Sequence, residues 1–217
     1  IEIMKKAGFK DEDCILSGLA KFDEKNRFKF KDKIVYMPTW RPWEQKAILC
    51  GKFESTKTFE DMSEVIKIIK ENKLEENFSI ILHPLVNRFL NEINSEILKY
   101  VKYSYAEIQD EIKLFITDLS SASFDAAYSG SYIIYLWNGK SEFEDYYKEE
   151  IYMNIDNTCG YIANDFCELK EQVKRAIDSN FIMEKVYWEN YKKINEFEDG
   201  KNCERIEKVI NEMINSI

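Results

Sequence analysis

Hydroxyls, one histidine, one guanidinium and a pair of carboxylates follow directly after apolar runs in this chain, a set of groups suited to holding an anion. The densest group is Thr117-Asp118-Leu119-Ser120-Ser121-Ala122-Ser123-Phe124-Asp125, where the run Leu114–Ile116 stops and three serines follow within four positions. Phe124, Ala126, Ala127 and Tyr128 then resume an apolar pattern compatible with a helix. A buried strand, a hydroxyl-rich turn and a helix start would offer backbone N–H groups, a favourable dipole and hydroxyl donors to a phosphate. Serine also serves simply as a helix cap, and on local grounds both readings stand. A second group, Pro38-Thr39-Trp40-Arg41-Pro42-Trp43, fixes a hydroxyl and a guanidinium between two prolines. That arrangement suits an oxyanion, or a loop whose tryptophan packs and whose arginine pairs with a surface carboxylate. The third group is His83-Pro84. His83 is the only histidine of 217 residues, so a metal site built on histidines is excluded and any histidine chemistry here must use it.

Each group needs a strand to deliver it. Lys33–Met37 is apolar and is cut off by Pro38; Phe78–Leu82 runs into His83; Leu114–Ile116 runs into Thr117-Asp118. Further strands are expected at Cys14–Gly18, Tyr100–Tyr103, Tyr132–Trp137 and Cys159–Ala163. Ile3–Ala7 reads as the last turns of a helix closed by Gly8, Glu24–Lys33 as a solvated connection or short helix, and 46–58 as irregular. Helices are expected over Phe59–Asn72, whose Met62, Val65, Ile66, Ile68 and Ile69 form a stripe read as core packing alone, and over Val86–Ile97 and Ala106–Glu111. A third set follows: Phe166–Ile177 capped near Asn164-Asp165, then Phe181–Phe197 and Asn202–Ile217, parted at Asp199-Gly200. Ser141–Tyr147 is acidic and tyrosine-rich. About six short apolar strands alternating with helices predict an α/β fold, a Rossmann-like doubly wound parallel sheet covered on both faces. Strand ends in such a sheet converge on one crevice, which would bring Thr39/Arg41, His83 and 118–125 together. One domain over 1–217, with its last helices from about 181, is the simplest organisation.

Bulk properties narrow the class. The chain is 45% hydrophobic and 33% charged, as ordinary globular proteins are, and its formal charge of −9 argues against general nucleic-acid binding. Cys14, Cys50, Cys159, Cys167 and Cys203 are scattered, odd in number and without a CxxC pair, which suggests neither a zinc site nor a disulfide framework and fits a reducing compartment. No apolar run approaches membrane-spanning length, and no signal peptide is visible. The opening at Ile1, in mid-pattern, reads as the start of a piece excised from a longer protein.

Ser17-Gly18-Leu19-Ala20-Lys21-Phe22-Asp23, Met37-Pro38-Thr39-Trp40-Arg41, His83-Pro84, Thr117–Asp125 and Phe197-Glu198-Asp199-Gly200, in this order, resemble the CDP-glycerol glycerophosphotransferase family of teichoic-acid and capsule polymerases. The resemblance implies a GT-B architecture, two Rossmann-like domains facing a cleft, with this chain similar to the C-terminal, nucleotide-binding one. It implies transfer of glycerol phosphate or ribitol phosphate from CDP-glycerol or CDP-ribitol to a polymer or lipid-linked acceptor at the inner face of the membrane. By the same resemblance His83 and the turn from Thr117 and Asp118 through Ser120, Ser121, Ser123 and Asp125 would hold the donor pyrophosphate, with Thr39, Arg41 and Gly18 contributing and no cofactor or metal required. The last helices would brace an N-terminal domain.

The match has departures: Leu119 stands where the family has tyrosine, and Ala20-Lys21 where it has Pro-Arg. The family's His-Gly motif, which carries its proposed base, is absent from these residues. The implied consequence is a piece that binds the donor without turning it over efficiently. Asp118 and Asp125 would be weak bases in an exposed pocket, and Asp118 would instead orient the turn or fix the His83 tautomer. Two other readings remain open from the residues: a nucleotide-sugar glycosyltransferase or 2-epimerase, and a non-catalytic binding or interaction domain.

Overall fold

A computed structural model describes Met4 and residues 8–24, 30–87, 96–102, 104–151 and 153–215. The chain divides into two compact units, Arg27–Tyr191 and, separately, Ile1–Asn26 with Lys192–Ile217. The larger holds the strands β1 (Lys33–Met37), β2 (Phe78–Ile81), β3 (Val101–Lys102), β4 (Ile112–Thr117), β5 (Tyr132–Leu136) and β6 (Tyr161–Ala163). They form one parallel sheet in the order β3-β2-β1-β4-β5-β6, with Val35 beside Phe115 and Met37 beside Thr117 across its centre. This is a doubly wound order, and it reverses direction between β1 and β4.

The central strands are uninterrupted apolar runs because both of their faces are buried. Every residue of β5 and five of the six in β4 are buried. Side chains alternate across the sheet. Ile34, Tyr36, Leu114, Ile116 and Ile134 join one core with the stripe of α2 (Lys57–Glu71) and with Leu169, Val173 and Ala176 of α6 (Phe166–Asp178). Val35, Phe115, Ile133 and Tyr135 are buried on the opposite side. Met62, Val65 and Ile69 are fully buried, each contributing about 1.5–3 kcal/mol of transfer free energy. Thr56 caps α2 by accepting the Phe59 N–H, and Asp165 caps α6 by accepting that of Glu168, as the Asn164-Asp165 pair predicts. The remaining helices are α1 (Gln45–Leu49), α3 (Pro84–Asn87), α4 (Ala122–Tyr128), α5 (Lys140–Tyr147), α7 (Lys185–Ile194) and α8 (Asn202–Asn215).

Several sequence expectations are corrected. Residues 14–19 form no strand, and Ile15 and Leu16 are exposed; the described residues of the smaller unit hold no sheet for them to join. The stretch 46–58 is more regular than expected, with α1 followed by a 3₁₀ turn that buries Phe53. Residues 106–111 make turns and one 3₁₀ segment, not an α-helix. The expected helix from Val86 begins earlier, at Pro84, where proline's missing N–H costs nothing, and 88–95 lie outside the described residues. So do Tyr103, most of Ile3–Ala7, 25–29 of the lysine-rich connection, and the last two residues of the final helix.

In the smaller unit Asp23 caps α8 across 179 positions of sequence. Its carboxylate accepts the N–H groups of Asn202 and Cys203, at 2.9 and 2.6 Å, and the Asn202 side-chain amide at 2.6 Å. Gly18 lies here at φ +77°, with Asn202 so close that a Cβ would stand 1.9 Å from its Oδ1. The motif Ser17–Asp23 thus has a visible local role in holding the start of α8.

Candidate active site

At the carboxyl ends of β1, β2 and β4 lies a cavity of about 530 Å³, lined by Pro38, Thr39, Trp40, His83, Ser120 and Ser121, with Tyr105 and Leu119. The volume lies within the range of small-molecule sites, and the position is the crevice where the strand order reverses. Three of the polar groups picked out by type and spacing therefore meet in one place.

Asp118 joins two walls of this crevice. Its Oδ1 accepts the Thr39 N–H at 2.8 Å and the Leu119 N–H at 2.7 Å, so one carboxylate oxygen fixes both the loop after β1 and the turn after β4. Its backbone carbonyl accepts the Trp137 indole N–H at 3.2 Å, which ties in the end of β5. Asp118 is 5% exposed, so it lies behind the crevice wall and not in an exposed pocket. It orients the turn, as one of its expected roles required. It does not set the His83 tautomer, because Nδ1 of His83 accepts the Leu85 N–H at 3.3 Å. That bond places the ring lone pair on Nδ1 and leaves the proton on Nε2. The exposed imidazole stacks on Trp40, with centroids 5.5 Å apart and 28° between planes.

The serines divide by role. Ser120 Oγ accepts the Ala122 N–H at 3.3 Å, and Ser121 stands at the N-cap position of α4 without a capping bond, its side chain exposed. Among the described residues, the N–H groups of Ser120 and Ser121 donate to no protein acceptor. Ser123 is buried and donates to the Ser120 carbonyl at 2.8 Å, and Thr117 is buried with its hydroxyl on the Met37 carbonyl at 2.6 Å. Both brace the turn from inside, so the expectation that they face a ligand is corrected. Asp125 lies in α4, beyond the cavity lining. Gly18 belongs to the smaller unit. Thr39 keeps a buried hydroxyl with no protein partner among the described residues.

Arg41 is the largest correction. A guanidinium meant for a phosphate would be expected to face the crevice, yet Arg41 is 1% exposed. Its Nη2 lies 2.8 Å from Asp61 Oδ2 and 3.8 Å from Asp118 Oδ2, and its Nη1 donates to Thr58 Oγ1 at 3.0 Å. Burial disfavours the charged guanidinium, but Tyr36, Asp118, Asp61 and Glu44 outweigh it and hold its pKa above the usual value. Burial, with the negative charge of Asp61 and Asp118, pushes the Tyr36 hydroxyl well above the ordinary phenol range. Asp61 also accepts from Lys57 at 2.8 Å and from Asn138 at 2.9 Å. Reading α2 as core packing alone missed this. The signal was present: Thr58, Asp61, Met62 and Val65 share one helical face at i, i+3, i+4, i+7, so two polar residues sit on an apolar stripe. Tyr105, whose hydroxyl donates to the Ala122 carbonyl at 3.3 Å, carried no such signal.

The profile of the family described as CDP-glycerol:poly(glycerophosphate) glycerophosphotransferase matches residues 21–212, a span containing the whole crevice. The chain belongs to this family. It is 25% identical over 228 residues to the minor teichoic acid biosynthesis protein GgaB of Bacillus subtilis (strain 168), covering 96% of this chain and 24% of GgaB. Its fold is that of part of the wall teichoic acid polymerase TagF: a TagF variant soaked with CDPG superposes with a TM-score of 0.67 at 20% identity, covering 99% of this chain and 56% of that one. MnaA of S. aureus, solved with UDP, is more distant, at a TM-score of 0.50 and 14% identity over 100% of this chain and 59% of that one. The chain spans about a quarter of GgaB and little more than half of TagF. Among the described residues, no helix is long and apolar enough to cross a membrane, and no cluster of His, Cys, Asp and Glu suits a metal ion.

Proposed function

We propose that this chain forms the donor site of a transferase that moves a polyol phosphate from CDP-glycerol or CDP-ribitol to a growing teichoic-acid or capsule polymer, as the C-terminal part of a GT-B-type enzyme. The observation that carries the reading is the crevice at the sheet's reversal, walled by Thr39, His83, Ser120 and Ser121 inside the span matched by the family. In this reading His83 Nε2–H and the hydroxyls and N–H groups of Ser120 and Ser121 meet the pyrophosphate, and Trp40 holds the imidazole plane. An acceptor oxygen attacks the phosphorus bearing the polyol, the bond to the bridging oxygen breaks, and CMP leaves with the new negative charge. Donors already aimed at that oxygen stabilise the departing charge, which is where phosphoryl-type transfer gains most. The acceptor's proton needs a base. With the one histidine of these residues committed to the donor, that base and the acceptor site belong to another part of the protein, acting at the cytoplasmic face of the membrane.

Ligand-dependent thermal unfolding tests the reading, because a ligand that binds only the folded state raises its melting temperature. CDP-glycerol or CDP-ribitol should stabilise the chain more than any UDP-sugar. A larger shift with a UDP-sugar would move the site to the glycosyltransferase or epimerase class. No shift with any nucleotide would leave an interaction domain.

A further inference from the structure

The geometry points to Asp61, on α2 and outside the crevice lining, as the positioning residue that holds the donor site's two walls in register through Arg41 and Asp118. The inference rests on the donor-site reading above. Asp61 is fully buried, and both of its oxygens are used: Oδ2 meets Arg41, while Oδ1 accepts from Lys57 and Asn138. It therefore gathers the loop after β1, the loop after β5 and the first turns of α2. Arg41 is clasped between two carboxylates, 2.8 Å from that of Asp61 and 3.8 Å from that of Asp118. Asp118 Oδ2 has no hydrogen-bond partner among the described residues, so the Arg41 charge is what balances that buried oxygen. Its other oxygen fixes the Thr39 and Leu119 N–H groups on either side of the crevice.

Removing the Asp61 charge frees Arg41 to close fully on Asp118 or, keeping its bond to Thr58, to swing away from Asp118 toward Glu44. The first movement draws Asp118 off its two amides, and the second leaves its buried Oδ2 without a balancing charge, so either loosens its hold on them. A buried pair broken on one side is strongly destabilising locally, which makes such a relay sensitive to its far end.

The test uses the whole chain and the variant Asp61→Asn, with two readouts. In the ligand-free chain, amide hydrogen exchange at Thr39 and Leu119 should speed up by about tenfold or more, while amides of β5 and α6 keep their wild-type protection. CDP-glycerol affinity, by calorimetry, should fall by about tenfold or more. Unchanged exchange at the two amides would overturn the inference, and so would faster exchange with unchanged affinity. If Asp61→Asn does not fold, the double variant Arg41→Met/Asp61→Leu replaces the pair by apolar groups of similar volume, an exchange often tolerated. The same two losses are expected of it, and undisturbed exchange would again refute the role. Should the wild-type chain bind no CDP-glycerol, the donor-site reading fails by itself, and the exchange readout alone decides whether Asp61 governs Thr39 and Leu119.

Discussion

At the residue scale the site separates groups that face the crevice from groups that hold its walls, and residue type alone does not tell them apart. Thr39 and Thr117 are both hydroxyls at strand ends, but Thr117 spends its donor on the Met37 carbonyl while the Thr39 hydroxyl has no protein partner among the described residues. Thr39 lines the crevice, so its hydroxyl is placed to meet a ligand there. Thr39→Val should leave stability within about 0.5 kcal/mol of wild type in urea unfolding, and lower CDP-glycerol affinity. A variant that loses stability and keeps its affinity would make Thr39 structural. Arg41 shows the opposite separation: its charge was legible, its direction was not. Whether a guanidinium points at a ligand or at Asp61 depends on α2 packing over β1, a contact between positions 20 apart that no local pattern encodes.

At the scale of elements, the parts read best from sequence were those whose period is set by the core. β1, β2, β4 and β5 and the helices α2 and α6 follow from continuous apolar runs, a 3.6-residue stripe and a cap. The segment at 14–18 was misread because a short apolar run becomes a strand only where a neighbour supplies hydrogen bonds. The crevice was legible in outline, since three polar groups follow three strands. Its inner layer was legible only in part: Asp61 stood out as a polar residue on the apolar face of α2, whereas the hydrogen bonds that turn Thr117 and Ser123 inward leave no spacing signal. Capping belongs to this scale. Asp165→Ala should cost about 1 kcal/mol in thermal unfolding, since the Glu168 N–H loses its acceptor. No loss would mean that the end of α6 is held by packing alone.

At the scale of the whole molecule the chain has a unit built on the parallel sheet and a unit drawn from its two ends, and Asp23 is where those ends meet. Partial burial would raise the Asp23 carboxyl, but the N–H groups of Cys203 and Asn202 outweigh it and hold its pKa below the ordinary 3.8. A carboxylate depressed by folding contributes fully above its unfolded pKa, and the contribution is lost as pH falls through the folded value. The stability gap between wild type and Asp23→Asn should therefore be constant near neutrality and close in acid, below about pH 3.8; a gap independent of pH would show that the charge does not matter. In the larger unit the proposed role of the crevice is to hold a CDP-linked polyol by the lone histidine. Calorimetric titration of CDP-glycerol into the wild-type chain and into His83→Ala tests this most directly. Clear binding by the wild type and a severe loss in a folded His83→Ala chain is the predicted result; equal affinities would contradict it.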